Sequence, residues 1–230
     1  LESGLQNLRI YFIAFRQQTE FLTLSRFHEK EKIIMKYQEF LTRDHFDFEE
    51  VLAFAHGKLV DDPPQDFDAK FPAPPFLMVD RILSIESNGR QGKIVAELDI
   101  QPDAWYFQCH FKDDPVQPGC LGVDGIWQLL GFFCVWKGSL GTGRALGCGD
   151  VAFNGQIRPF NKYVRYEVDV RRYSMLKESG ASIVIGDGRL YVDNELIYTV
   201  GQARVGVFKD IAYKDYPLRS KHSIGGIMER

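Results

Sequence analysis

Residues 121–137 are the one long apolar helix that this sequence predicts, and they stand among segments that read as strands. Leu121, Asp124, Gln128 and Gly131 fall on one stripe at spacings of three and four, while Ile126, Leu129, Leu130 and Phe133 supply hydrophobic bulk. Beyond Pro75, residues 76–85 and 93–100 are rich in β-formers and separated by Asn88-Gly89. Residues 190–192 and 196–200 flank Asp193-Asn194, a tight hairpin turn, and 163–172, 181–185 and 203–208 add three more strands. A lone apolar helix among antiparallel strands buries its surface only if the sheet wraps it. The expected class is therefore α+β, an antiparallel sheet around a long central helix.

Ahead of this fold lies a segment of different character. Residues 5–41 read as helix, with Leu8, Phe12, Phe15 and Leu22, then Ile34, Tyr37 and Leu41, at helical spacings and no Gly or Pro between Leu5 and Leu41. Its charges, such as Glu29 to Lys32, are too mixed with its apolar positions for a membrane-surface helix, so a linker or packing arm is expected. A second helix starts at Asp47, whose spacing to Glu50 is that of a capping box, and stops at His56-Gly57. Asp61-Asp62-Pro63-Pro64 is turn-rich, and Phe71-Pro72-Ala73-Pro74-Pro75 is extended. The expected organisation is an N-terminal helical extension or linker over 1–45, the wrapped-helix domain over 46–208, and a tail or linker over 209–230.

Composition narrows the function classes. A net charge of -3 gives no basic field, which argues against nucleic acid as a partner. No uninterrupted apolar run approaches the ~18 residues of a membrane span, and no secretory signal opens the chain, so a soluble, cytoplasmic protein is expected. Leu1 is not a natural start, and an excised segment of a longer protein is expected. Cys109, Cys120, Cys134 and Cys148 are spaced by 11, 14 and 14 residues, without the paired ligands of a structural zinc site, and reduced thiols are expected.

The stretch from Trp105 to Leu130 carries the chemistry. His110 sits between Cys109 and Phe111 after three aromatics, a setting that suits a structural histidine as well as a catalytic one. Asp124, fourteen residues on, lies near the start of the apolar helix, where a carboxylate complements the helix dipole. Taken together, a base that titrates near neutrality and a carboxyl in apolar surroundings make an acid/base pair. Gly119, in Pro118-Gly119-Cys120-Leu121, either turns the chain into the helix or aims its N–H at a carbonyl oxygen. Cys120 at the same terminus reads as a packing residue in preference to a nucleophile.

The run from Trp105 to Gly131, with Gly143-Arg144-Ala145-Leu146-Gly147-Cys148-Gly149-Asp150-Val151, Met78-Val79-Asp80-Arg81 and Leu196-Ile197-Tyr198-Thr199, resembles the β-hydroxydecanoyl-acyl-carrier-protein dehydratase family. The resemblance covers about residues 46–208 and implies the hot-dog fold. Aspartate at 124 followed by Trp127-Gln128 matches this branch, whereas related dehydratases without isomerase activity usually carry glutamate there. It implies that His110 is the base at C2, that Asp124 protonates the departing 3-hydroxyl, and that Gly119 N–H holds the thioester carbonyl. Gln128, one turn on, is expected to orient Asp124 by an i,i+4 hydrogen bond. The implied reaction turns a 3-hydroxyacyl thioester into the trans-2-enoyl thioester, with further isomerisation to the cis-3 product open to the same histidine. No metal or organic cofactor is implied. The implied partners are an acyl carrier protein and a second hot-dog unit, in a homodimer or tandem pseudo-dimer, because histidine and aspartate come from facing units in this family. Arg171, Arg172, Lys177 and Arg204 are candidate carrier-docking residues, or simply a solvated charged face. The helix before residue 46 and the segment from Phe48 to Lys58 look more like the dehydratase regions of polyunsaturated fatty acid synthases and related megasynthases. A hot-dog thioesterase and a non-catalytic structural unit are the competing readings.

Overall fold

The computed structural model describes residues 33–209, and the elements below belong to Ile34–Arg230, one of the two units into which the chain divides. In chain order they are α1 (Tyr37–Phe40), α2 (Phe48–Ala55), β1 (Arg81–Asn88), β2 (Gln91–Asp99), α3 (Trp105–Cys109), α4 (Gly119–Trp136), β3 (Thr142–Gly147), β4 (Val151–Phe153), β5 (Tyr163–Met175), β6 (Ser182–Val192) and β7 (Glu195–Phe208). The strands form one antiparallel sheet in the order β1-β2-β5-β6-β7-β3, with β4 also paired to β7. The sheet wraps α4, which meets β3, β5, β6 and β7. This is the hot-dog fold that the sequence predicts.

Small residues on one partner meet large ones on the other, and that is why the helix seats so closely. A Cβ on Gly122 would come within 2.8 Å of Leu190 and Tyr198, and one on Gly125 within 2.7 Å of the Tyr166 ring. In return, Gly186 of β6 leaves room for Leu130. Burial alternates along the whole of β6, as a strand with one covered face requires. Among the described residues α4 is also long and apolar enough to cross a bilayer, with a mean hydropathy of 1.4 over 18 residues. Two-thirds of it (67%) is buried inside the protein instead.

The Asp193-Asn194 hairpin forms as expected, both residues taking positive φ, 48° and 75°, as a tight two-residue turn between β6 and β7 demands. The Asp193 carboxylate also accepts the N–H of Lys162, which pins the start of β5. The capping box at Asp47 and Glu50 is present in both directions, at 2.9 Å each. Several boundaries differ from expectation. The strands predicted over 181–185 and 190–192 fall in the single strand β6, which starts at Ser182, and those over 196–200 and 203–208 fall in β7, because the intervening glycines are absorbed in a ladder whose register shifts locally. β3, with glycine at both its second and last positions, and β4, only three residues long, are strands that the sequence pattern does not predict. Residues 76–80 are not strand: the Met78 N–H is taken by the Gln128 side chain, and Arg81 starts the ladder, forked onto Glu97 and Asp99.

The helix predicted over 5–41 is corrected where it can be seen. Residues 5–32 lie outside the described residues, and so do 210–230 of the predicted tail. At Met35 the chain is extended, bridged to Val60, and Lys36 is extended too, leaving only the single turn α1. The Asp62 carboxylate, 25 residues away, accepts the Tyr37 N–H that opens that turn. Met35, Phe40 and Phe46 are buried in the same core as the sheet, so the boundary expected at residue 45 runs through packed structure. Phe132 of α4 is the hub: its ring lies 5.7, 5.1, 5.0 and 5.2 Å from those of Phe40, Phe46, Phe54 and Phe71.

Candidate active site

His110 caps the C-terminus of the five-residue α3, and the loop behind it returns at once: Val116 N–H donates to the His110 carbonyl at 2.8 Å. The imidazole Nδ1 lies 2.9 Å from the Val116 carbonyl oxygen. A carbonyl only accepts, so Nδ1 carries the proton and Nε2 of the neutral ring is left with its lone pair, the form a base needs. The Phe111 ring tilts over the imidazole at 3.7 Å between centroids. Arg158 ties the loop down, donating to Asp114 and to the Pro115 carbonyl.

The loop then feeds α4, whose first residue is Gly119. Its N–H belongs to the first turn, where no helical carbonyl is available to it. A Cβ there would lie 2.7 Å from the Phe153 ring, so a larger residue would have to push that exposed ring aside. Asp124 stands in the second turn of α4, whose first turn holds no acidic residue. Dipole complementation, which fades within the first turn, is thus a weak account of this carboxyl. Burial raises Asp124 above the usual carboxylate range, and the hydrogen bond from Gln128 opposes that rise.

Gln128 does what the spacing predicts and more. Its Nε2 donates to Asp124 Oδ2 at 2.7 Å and to the Phe76 carbonyl at 3.0 Å, and its Oε1 accepts the Met78 N–H at 3.0 Å. One buried amide therefore orients the carboxyl and fastens the segment before β1 to the central helix. Asp124 and Gln128 line a cleft of about 340 Å³, whose other walls include Phe71, Phe76, Trp127 and Val205. His110 and Gly119 are not among its lining residues. Within one chain the site residues thus form two groups, the loop of His110 and Gly119 and the pair Asp124 and Gln128.

All four cysteines are free thiols; Cys109 and Cys120 are exposed, and burial pushes the Cys134 thiol up to about 12. Of the candidate docking residues, Arg171 is paired with Asp187, Arg172 reaches Ser174 at 3.3 Å, and Lys177 and Arg204 are exposed. The cleft wall contributed by residues 54–72 was missed from sequence, and its one local signal was a glycine, Gly131, in mid-helix.

A sheet-wrapped helix that carries an aspartate and glutamine one turn apart, entered from a histidine loop through Gly119, defines a hot-dog domain. Residues 71–201, more than half of the chain, match the FabA-like domain, and the chain belongs to that family. Among solved structures it is similar to the dehydratase heterocomplex ApeI:P from Xenorhabdus doucetiae, at 11% identity over 62% of this chain and 88% of that one, with a TM-score of 0.43. It is also similar to an (R)-hydratase from A. caviae involved in PHA biosynthesis, at 16% identity over 52% and 97% of the two chains, TM-score 0.36. AziG of S. sahachiroi matches at 12% identity over 54% and 90%, TM-score 0.37.

Proposed function

We propose that this chain dehydrates 3-hydroxyacyl thioesters, delivered on an acyl carrier protein, to trans-2-enoyl thioesters. The observation that carries this reading is the Asp124 carboxyl: raised by burial, oriented by Gln128, and opening onto a largely apolar cleft. A carboxyl so placed keeps its proton to higher pH than an exposed one, which favours it as the acid that a departing hydroxyl needs. His110 Nε2 takes the C2 proton while the Gly119 N–H receives the charge that grows on the thioester oxygen. The C3–O bond breaks as Asp124 protonates the hydroxyl, and water leaves. Asp124 ends as carboxylate and His110 as imidazolium, and transfer of one proton from the second to the first resets the site.

The histidine of one hot-dog unit serves the aspartate of another in this reading. Its support is that His110 lies off the Asp124 cleft, and that Phe111 and Phe153, beside the histidine loop and Gly119, are 55% and 54% exposed. Large aromatics left open next to a site are the surface a second unit would cover. Isomerisation to the cis-3 product, the acyl carrier protein docking at Arg171, Arg172, Lys177 and Arg204, and a place in a polyunsaturated fatty acid synthase belong to the same reading through the sequence resemblance.

The test is enoyl absorbance on incubation with a 3-hydroxydecanoyl thioester. His110→Ala and Asp124→Asn are each expected to lower kcat at least about 100-fold. Turnover that survives both substitutions overturns the mechanism, and release of free thiol without enoyl product assigns a thioesterase instead.

A further inference from the structure

Two polar side chains that the reaction scheme does not use are buried with nothing to bond. Tyr166 of β5 is 0% exposed, and Gln117, in the loop between His110 and Gly119, is 1% exposed. The Tyr166 hydroxyl and both polar atoms of the Gln117 amide make no hydrogen bond among the described residues. Phenylalanine and methionine would fill the same space without stranding a polar group, so each side chain is costly unless something meets it. A second copy of the chain cannot do so, because neither side chain reaches the surface.

The two have a common neighbour in Tyr106. Burial and the Asp80 carboxylate push its phenol up to about 12, and the nearby Gln117 amide opposes that rise. Of the ionisable groups that act on Tyr166, Tyr106 comes first, ahead of Asp124 and Asp80. Burial raises both phenols, so both keep their protons at neutral pH and can donate. The positions are fixed from outside the group. A Cβ on Gly125 would lie 2.8 Å from the Tyr166 hydroxyl, so the phenol presses on the turn of α4 that carries Asp124. Tyr166 is paired with Ala96 of β2 on one side and Leu190 of β6 on the other. The Gln117 N–H donates to the Ile157 carbonyl at 3.0 Å, two residues before Gly119. Hydroxyl donors beside an amide that both gives and accepts, enclosed and unmet, suit a small molecule that does the same. Water is that molecule, and inside proteins it makes about three hydrogen bonds to such groups.

We infer that Tyr106, Gln117 and Tyr166 hold one internal water, and that this water fixes the loop from which the Gly119 N–H meets the thioester oxygen. The water site does not depend on the dehydratase reading; the positioning role rests on it. The test is a double-variant cycle of Tyr166→Phe and Gln117→Met. With a shared water, each single variant strips it of a partner, and Tm is expected to fall by about 3 °C or more, the double variant falling no further than the worse single one. Oxygen-17 relaxation dispersion of the solvent, which registers long-lived internal waters, is expected to lose the same amplitude in all three variants. Without a water the sign reverses: removing a stranded hydroxyl or amide raises Tm, and additive gains with unchanged dispersion overturn the site. Tyr106→Phe takes the place of Gln117→Met in the cycle if the latter does not fold. The positioning role is read from turnover of 3-hydroxydecanoyl pantetheine. In the single variants kcat is expected to fall about tenfold or more while KM moves less than about twofold, because the Gly119 N–H acts on charge that grows only in the transition state. Variants that lose the water and keep kcat refute the positioning role. Wild type that shows the coupled losses of Tm and turns over nothing leaves the water site standing and refutes the dehydratase reading.

Discussion

Gln128→Leu is the substitution whose consequences the structure defines most closely. Leucine has similar bulk but offers none of the three hydrogen bonds. Met78 is 2% exposed, so its N–H would be left buried without a partner, which costs about 1–3 kcal/mol. The Phe76 carbonyl belongs to a residue 43% exposed, and water can replace the amide there at little cost. The bond to the half-buried Asp124 carboxyl contributes about 1 kcal/mol. The sum is roughly 2–4 kcal/mol, and with a urea slope of about 2 kcal/mol/M the unfolding midpoint should drop by about 1–2 M. Activity should change in a second, separable way. Gln128 holds the Asp124 pKa down, so its loss should move the limb on which activity falls with rising pH to higher pH. Gln128→Glu keeps an acceptor for Met78 but sets a second carboxyl against Asp124, and should shift that limb further with less loss of stability. A Gln128→Leu midpoint within about 0.3 M of wild type, with an unmoved pH profile, would refute the assignment of Gln128 as the group that both orients the acid and anchors the β1 approach.

Asp124→Asn should abolish dehydration and yet raise Tm at neutral pH by a few degrees, since Asn still accepts the Gln128 amide proton. The sign follows from the raised carboxyl: its favourable contribution is complete below the ordinary value of 3.8 and is lost as pH rises through the folded pKa. The advantage of Asn should therefore shrink as pH is lowered towards 3.8, and a gap that widens in acid would contradict the assignment. Phe132→Ala removes the ring that four other phenylalanines surround and should cost about 3–5 kcal/mol by urea unfolding. A loss under about 1.5 kcal/mol would mean that residues 35–71 do not pack on the central helix as described.

Features that depend on near neighbours were legible. The capping box at Asp47, the Asp193-Asn194 turn, the span of α4 and the Gln128–Asp124 bond all involve residues within four positions of one another, where the sequence fixes geometry almost directly. The hot-dog arrangement followed from a simple necessity, that one apolar helix has only strands to cover it. Over residues 33–41 the helical reading fails because helical periodicity says nothing of a partner 25 residues on. The bridge from Met35 to Val60 and the Asp62 contact to Tyr37 override it within the described part.

What the sequence alone determined is the set of candidate reagents, a histidine, a helix-starting glycine and an aspartate with its glutamine, together with the sheet-wrapped helix that carries the last three. Only the tertiary structure decided the rest: which histidine nitrogen is free, through the Val116 carbonyl; why Asp124 is raised, through burial; and where the cleft lies. Each depends on groups brought together from distant parts of the chain, as when Gln128 reaches back 50 residues to Met78. Burial and hydrogen-bond partners are properties of that convergence, and no local pattern encodes them.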